Sequence, residues 1–133
     1  MALMKSYRLL LVASLVILTG CNDQDYTLKE PFRTSNGLYG YKDADGKIRI
    51  KPKYEDAYSF HEGLASVSKN GKRGYVDMKD NEVIPFTFDY AYSFRNGLAW
   101  VQADGKPGMI DKNGNWLSDA QLPAELGSWW NFR

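Results

Sequence analysis

Glu55-Asp56-Ala57-Tyr58-Ser59-Phe60-His61-Glu62-Gly63-Leu64-Ala65 returns as Asp89-Tyr90-Ala91-Tyr92-Ser93-Phe94-Arg95-Asn96-Gly97-Leu98-Ala99, at an offset of 34 residues. The same offset relates Asn36-Gly37, Asn70-Gly71 and Asp104-Gly105, then Gly40, Gly74 and Gly108, and also Asp43, Asp77 and Asp111. A fixed period of this length marks a chain built from one recurring supersecondary unit. Two full units, 36–69 and 70–103, are followed by a partial one, 104–133.

The recurring positions predict strands and turns. Asn-Gly or Asp-Gly between strand-like runs favours a tight hairpin, because both central residues accept positive φ. Leu64–Lys69 is therefore expected to pair with Lys72–Met78, and Leu98–Ala103 with Lys106–Lys112. A second turn follows in each unit, at Asp43-Ala44-Asp45-Gly46, Lys79-Asp80-Asn81 and Asp111-Lys112-Asn113-Gly114. Lys47-Ile48-Arg49-Ile50-Lys51 alternates as a strand with one buried face must. Pro52 and Pro85 are expected to close the third strands, where a missing amide hydrogen does little harm. The expected fold is all-β: an antiparallel meander of about three 34-residue units, rolled into a barrel- or propeller-like sheet.

This pattern resembles the WG-repeat family. The resemblance rests on Tyr54 to Val67 and Phe88 to Val101, with Gly-aromatic-x-Asp, a glycine turn, Ile and Pro before them, and covers nearly the whole domain. It implies a β-rich repeat architecture, often in surface or envelope proteins, with no shared catalytic chemistry. The eponymous Trp-Gly is replaced by Tyr39-Gly40, Arg73-Gly74 and Pro107-Gly108, which puts any role of that tryptophan in doubt.

Stacked units bury faces that a single unit cannot, so the ends need covering. The third unit fits a cap. It keeps Gly108, Asp111 and Gly114, then departs after Trp116 into a stretch, Asp119–Leu126, with room for a short helical turn limited by Pro123. The aromatic tail Trp129-Trp130-Asn131-Phe132 is expected to fold back over an open sheet end, since an uncovered edge invites aggregation.

Candidate sites follow from the same alignment. The aspartates at 43, 77 and 111 could be mistaken for calcium ligands, but no bidentate Glu closes the loop, and Lys79 intrudes in the second unit. Capping of their own turns is the preferred reading, and no metal is expected. The only histidine, His61, aligns with Arg95 and is expected on a solvated loop. Glu55, Asp56, Glu62 and Asp89 are the acids from which a hydrolytic pair would have to come, yet Glu55 and Asp89 share a repeat slot, which favours structure over catalysis. No catalytic residue or cofactor is expected, since no Gly-x-Ser-x-Gly elbow and no clustered histidines are present. Tyr41/Tyr75, Tyr54/Phe88, Tyr58/Tyr92 and Phe60/Phe94 recur and are expected in the core. Trp100 and Trp116 break the repeat, standing where the first copies have Ser66 and Ile48. For Trp100 the preferred reading is a wider core. If the Ala99/Val101 face is the packed one, Trp100 is instead exposed and can anchor a partner. Trp100, Trp116 and His61 are the candidate partner-binding residues.

The first residues carry a separate signal. Lys5 and Arg8 precede an almost unbroken apolar run, Leu9 to Leu18, of ten residues. A helix that spans a bilayer needs roughly 20, whereas a secretory signal has this basic-then-apolar layout. Leu18-Thr19-Gly20-Cys21 resembles the bacterial lipobox, with cleavage between Gly20 and Cys21 and lipidation of Cys21, the only cysteine. Residues 1–20 are thus expected to be a signal peptide, 21–35 a lipidated tether and 36–133 the repeat domain. Asn22 in place of an aspartate favours the outer membrane, periplasmic side. Without Lys5 and Arg8, 15 basic residues stand against 16 acidic ones, a net charge of −1 that offers no field for nucleic acid.

The function expected from these features is a membrane-anchored, non-enzymatic interaction module of the bacterial cell envelope. Its partners would be the membrane, through the lipid on Cys21, and an envelope or secreted protein. The rival readings are an immunity or inhibitor lipoprotein against a secreted toxin, and a glycan- or peptidoglycan-binding envelope component.

Overall fold

A computed structural model describes residues 30–124. The expected signal peptide, Gly20, Cys21 and the aromatic tail lie outside the described residues. Ten strands and one 3-10 turn make up the described chain. The first sheet holds β1 (Pro31–Arg33), β2 (Tyr39–Lys42) and β3 (Ile48–Tyr54). The second holds β4 (Asp56–Ala57), β5 (Leu64–Lys69), β6 (Lys72–Asp77) and β7 (Glu82–Phe88), and the third β8 (Tyr90–Ala91), β9 (Leu98–Ala103) and β10 (Lys106–Asp111). Every pairing is antiparallel. The fold is all-β as expected, but the meander is divided into three short sheets instead of forming one rolled surface.

The hairpins form where the turn chemistry puts them. Lys69 pairs with Lys72 across Asn70 (φ 53°) and Gly71 (φ 76°), and Ala103 pairs with Lys106 across Asp104 (φ 51°) and Gly105 (φ 76°). Positive φ at both central residues matches the twist of the flanking strands. Asn36-Gly37 departs from this, because β1 and β2 are joined by a longer loop in which the Gly37 amide donates to Thr34 O and the Thr34 amide to Leu38 O. The second turns also form: the amides of Asp43, Asp77 and Asp111 donate to the carbonyls of Lys47, Asn81 and Asn115.

Two expectations need correction. Pro31–Arg33 belong to the domain, not the tether, since Phe32 pairs with Gly40 and Arg33 with Tyr39. A proline is tolerated as the first residue of such an edge strand, and Lys42 packs over the Phe32 ring at 4.3 Å. Pro52 and Pro85 do not end their strands but lie inside β3 and β7. Between the pairs Arg73↔Phe88 and Tyr75↔Ile84 the ladder slips, leaving Pro85 in a bulge opposite Gly74 where no amide hydrogen is needed. A Cβ on Gly74 would lie 2.7 Å from Ile84 O and 3.0 Å from Phe86 N, so the bulge packs directly on a bare backbone.

The sheets stack face to face, which accounts for the burial of β5 and β6 on both sides. Tyr41, Ile50 and Tyr54 of the first sheet meet Ala57, Ala65, Val67 and Val76 of the second. The opposite face of the second sheet, with Leu64, Tyr75, Ile84 and Phe88, meets Ala91, Phe94, Ala99, Val101 and Ile110. Large side chains thus fill the space left by small ones, each contributing roughly 1.5–3 kcal/mol on full burial. Tyrosine hydroxyls also tie the layers: that of Tyr41 donates to Tyr58 O at 2.5 Å and that of Tyr75 to Tyr92 O at 2.6 Å.

In the third unit Trp116 takes the place of the bulged strand. It bridges to Ile110, and a Cβ on Gly108 would lie 2.5 Å from its ring. The chain then makes the expected helical turn, Asp119–Gln121, opened by Ser118, whose amide donates to the Gln121 side chain at 2.8 Å.

Candidate functional site

The recurring aromatics divide into two groups. Tyr41, Tyr75, Tyr54, Phe88 and Phe94 are core residues as expected. Tyr92 is not: it is 49% exposed, and Tyr58 and Phe60 are only half-buried. The Tyr58 amide donates to Ser66 O and the Tyr92 amide to Trp100 O, so both tyrosines sit at the sheet margin rather than between layers. Their rings approach to 6.2 Å, and Tyr92 meets Trp100 edge-on at 5.3 Å and 63°. The result is an aromatic edge, Tyr58–Tyr92–Trp100, that runs along the stack from the second sheet to the third.

Trp100 does not fill the core. The burial of Ala99 and Val101 shows that the small-residue face of β9 is the packed one, and strand alternation turns Trp100 outward, where it is half-buried. Ser66, its equivalent, is fully buried because a third sheet covers it, with its hydroxyl donating to Ala91 O at 2.8 Å. No further sheet of the described residues covers Trp100.

Arg73 anchors the other end of this edge. Standing in the slot of the family tryptophan, it is 9% exposed. Its guanidinium lies 4.3 Å from the Tyr58 ring centroid, pairs with Asp56, and donates to Ser66 Oγ at 3.2 Å. A planar cation thereby replaces a planar indole, keeping a stacking surface for Tyr58 while adding charge-assisted hydrogen bonds. Arg73 was not among the expected site residues. Its position before Gly74 was the available signal.

Trp100, Trp116 and His61 do not form one site. Gly108 pairs with Val101, so the Trp116 ring over Gly108 lies on the inner face, 6.1 Å from Phe88, while Trp100 points the other way. Trp116 is nonetheless 46% exposed. His61 is exposed, pairing with Leu64 across Glu62 and Gly63, a second tight turn with positive φ at both residues.

The acidic residues are engaged by backbone amides and cations. Glu55 links β3 to β4, and its carboxylate accepts the Asn70 and Gly71 amides at 3.0 and 2.9 Å. These bonds, led by that from Gly71, hold its pKa below the ordinary range. Asp89, in the same repeat slot, accepts from Lys72 and from the Asp104 amide, and the Lys72 bond is the main cause of its lowered pKa. Glu62 reaches the next unit, accepting the Gly97 amide at 2.9 Å and pairing with Lys112 at 3.2 Å. Burial pushes the Glu62 carboxyl up, but those bonds outweigh it and leave the group lowered.

Asp43, Asp77 and Asp111 each accept two backbone amides of their own turn through Oδ1. Arg49 occupies Oδ2 of Asp43, and the Asn81 and Asn115 side chains occupy Oδ2 of Asp77 and Asp111. Turn capping is the role these aspartates carry.

The model of the WG containing repeat matches this chain at residues 39–72 and 74–106. No curated protein and no solved structure matches it.

Proposed function

The chain belongs to the WG containing repeat family, and on that premise we propose that it is a non-enzymatic binding module whose aromatic edge engages another protein at the bacterial cell envelope. The observation that carries this reading is Trp100, outward and half-buried on the last sheet, in contact with the exposed Tyr92. Tryptophan and tyrosine dominate interface energetics, because they offer large rigid area with a polar tip. Tyr90, 56% exposed, enlarges the apolar surface of the third sheet. The 63° angle between Tyr92 and Trp100 leaves no flat two-ring platform, which suits contact with protein side chains better than a stacked sugar ring. Glu55, Asp56, Glu62 and Asp89 hold turns or cations, which supports a structural rather than a hydrolytic use.

Location is the second part of the proposal. Lipidation at Cys21, after removal of residues 1–20, places the domain on the periplasmic side of the outer membrane. In vivo crosslinking of the anchored protein is expected to recover one envelope or secreted protein, and Trp100→Ala to abolish the adduct. Recovery of generic envelope proteins alone, unchanged by Trp100→Ala, overturns the binding reading. Cys21→Ser is expected to lose lipid labelling and to remain an unprocessed precursor, and normal processing of that variant overturns the anchor.

A further inference from the structure

The two ends of the stack differ in charge. Between Pro31 and Tyr54, the span of the first sheet, six cationic residues, Arg33, Lys42, Lys47, Arg49, Lys51 and Lys53, stand against Asp43 and Asp45, a net charge of +4. Residues 55–124 carry seven cationic and ten acidic residues, a net charge of −3. Arg49 is held by Asp43 and Lys53 by Asp80, whereas no ion pair among the described residues engages Arg33, Lys42, Lys47 or Lys51.

The outer face of this sheet adds apolar contact to the charge. β2 alternates, with Tyr39 and Tyr41 turned toward the second sheet and Gly40 and Lys42 away from it. Phe32 pairs with Gly40 and Ile48 with Lys42, so Phe32, Lys42 and Ile48 share the outer face. Ile48 is 48% exposed, and Lys42 lies over the Phe32 ring. In the second sheet the same pairing slots hold Val67, Val76 and Glu82. Val67 and Val76 are buried there by the first sheet. A lysine in the slot of Val76 would be stripped of water by another sheet of this kind, which counts against a second copy stacked on this end. Isoleucine in the slot of Glu82 replaces a charge with protruding carbon. Apolar tips among cations are what an anionic bilayer accepts, with ammonium groups at the phosphates and apolar side chains between the headgroups.

We propose that Phe32, Lys42 and Ile48, with Lys47 and Lys51 beside them, rest on a surface of anionic phospholipid. The contact builds on the anchored reading above. Cys21 precedes β1 by ten residues, at most about 35 Å of extended chain, so its lipid attaches at this end of the stack. An acidic protein would match the charge equally, but a bilayer is the partner that the anchor holds against this face. The third sheet then stands at the far end, with Tyr92 and Trp100 presented away from the membrane.

The test uses the chain from Asn22 onward without acyl groups, whose core clusters draw only on residues 39–110. It is expected to sediment with vesicles of phosphatidylglycerol and phosphatidylcholine, to stay in solution with phosphatidylcholine alone, and to be released by molar salt. Lys47→Glu/Lys51→Glu is expected to weaken binding at least about tenfold, since each cation at such a surface contributes about fivefold. Lys69→Glu/Lys106→Glu, in the second and third sheets, makes the same change in net charge and is expected to leave binding within about twofold of the parent. A nitrobenzoxadiazole probe on Ile48→Cys is expected to brighten with the anionic vesicles, and one on Lys106→Cys to stay dim. No sedimentation, equal binding to neutral vesicles, equal loss in the two charge reversals or a dim probe at position 48 overturns the proposal. No acyl chain takes part, so failure of this contact and failure of lipidation at Cys21 are read separately.

Discussion

Substituting Gly74 by alanine tests the packing of bulge on backbone that holds β7 to β6. Gly74 is not in the left-handed region, so the effect is steric. Its Cβ would meet Ile84 O at 2.7 Å, and Phe86 N and Pro85 C at 3.0 Å, all of them backbone atoms. Optimal separations are about 3.5–4.0 Å, so the bulge must retreat by a substantial fraction of an ångström. It carries Ile84 and Phe88 at its ends, and both pack into the core between the second and third sheets. Overpacking of this kind costs about 1–3 kcal/mol, and the strand preference of Ala over Gly returns roughly 0.5–1 kcal/mol of it. A net loss of about 1–2 kcal/mol follows, which for a domain of this size lowers Tm by roughly 4–8 °C per kcal/mol. Gly108→Ala provides the internal comparison. Its Cβ would strike the Trp116 ring at 2.5 Å, but that side chain is half-exposed and free to swing away. It is expected to cost less than about 1 kcal/mol, with a red shift of Trp116 emission. Urea unfolding of a form lacking the anchor, followed by circular dichroism, measures both. A Gly74→Ala protein as stable as the parent, or a Gly108→Ala protein as damaged as Gly74→Ala, would refute the reasoning.

Other consequences follow from the same contacts. Tyr75→Phe removes the hydroxyl that donates to Tyr92 O and is expected to cost about 1 kcal/mol in urea unfolding, the ordinary worth of such a bond. Arg73→Leu keeps apolar bulk but strips the guanidinium from Asp56, Ser66 and Tyr58. It is expected to cost about 1–3 kcal/mol, and an unchanged unfolding midpoint would show that Arg73 is a bystander. For pH, Glu55, Asp89 and Asp111 have pKa values lowered on folding, chiefly by the Gly71 amide, Lys72 and the Asn115 amide respectively. The folded state therefore binds fewer protons. Their stabilisation is full above the unfolded carboxylate values of about 3.9–4.3 and is lost as pH falls through the lower folded values. Urea midpoints are expected to hold from neutral pH down to mildly acidic conditions and to fall below that range, less steeply in Asp111→Asn; a parallel decline in both proteins counts against it. Trp100→Ala, at a half-exposed position, is expected to leave Tm within a few degrees of the parent while removing the partner adduct.

Much of this fold was legible in the chain because turn chemistry is local. Asn70-Gly71 and Asp104-Gly105 announce their hairpins, and Asp77 and Asp111 their caps, from residues that lie next to one another. What was not legible depends on neighbours distant in sequence. Nothing in Val-Ile-Pro-Phe tells that Pro85 sits within a strand, since the bulge that tolerates it is set by the bare backbone of Gly74 in β6. The core reading of Trp100 failed for a related reason. Ser66 is buried by the sheet that follows it, and the aligned position in the last sheet has no such follower among the described residues. Tyr92 and Tyr58 recur because they mark the margin of each layer. Recurrence alone does not distinguish a margin from an interior.

The joints between sheets lie out of phase with the 34-residue units. The second sheet takes β4 and β5 from the unit 36–69 and β6 and β7 from the unit 70–103, and the third sheet is divided in the same way between 70–103 and the remainder. As in a running bond of brickwork, no cut at a unit boundary falls between courses. A gene that lost residues 70–103 would bring Leu64–Lys69 directly before Asp104-Gly105 and Lys106–Asp111, recreating a hairpin of the same kind at the new junction. A gene that duplicated the segment would gain one complete layer. Length in such a protein can change by whole layers through a single recombination, with no new interface having to be invented.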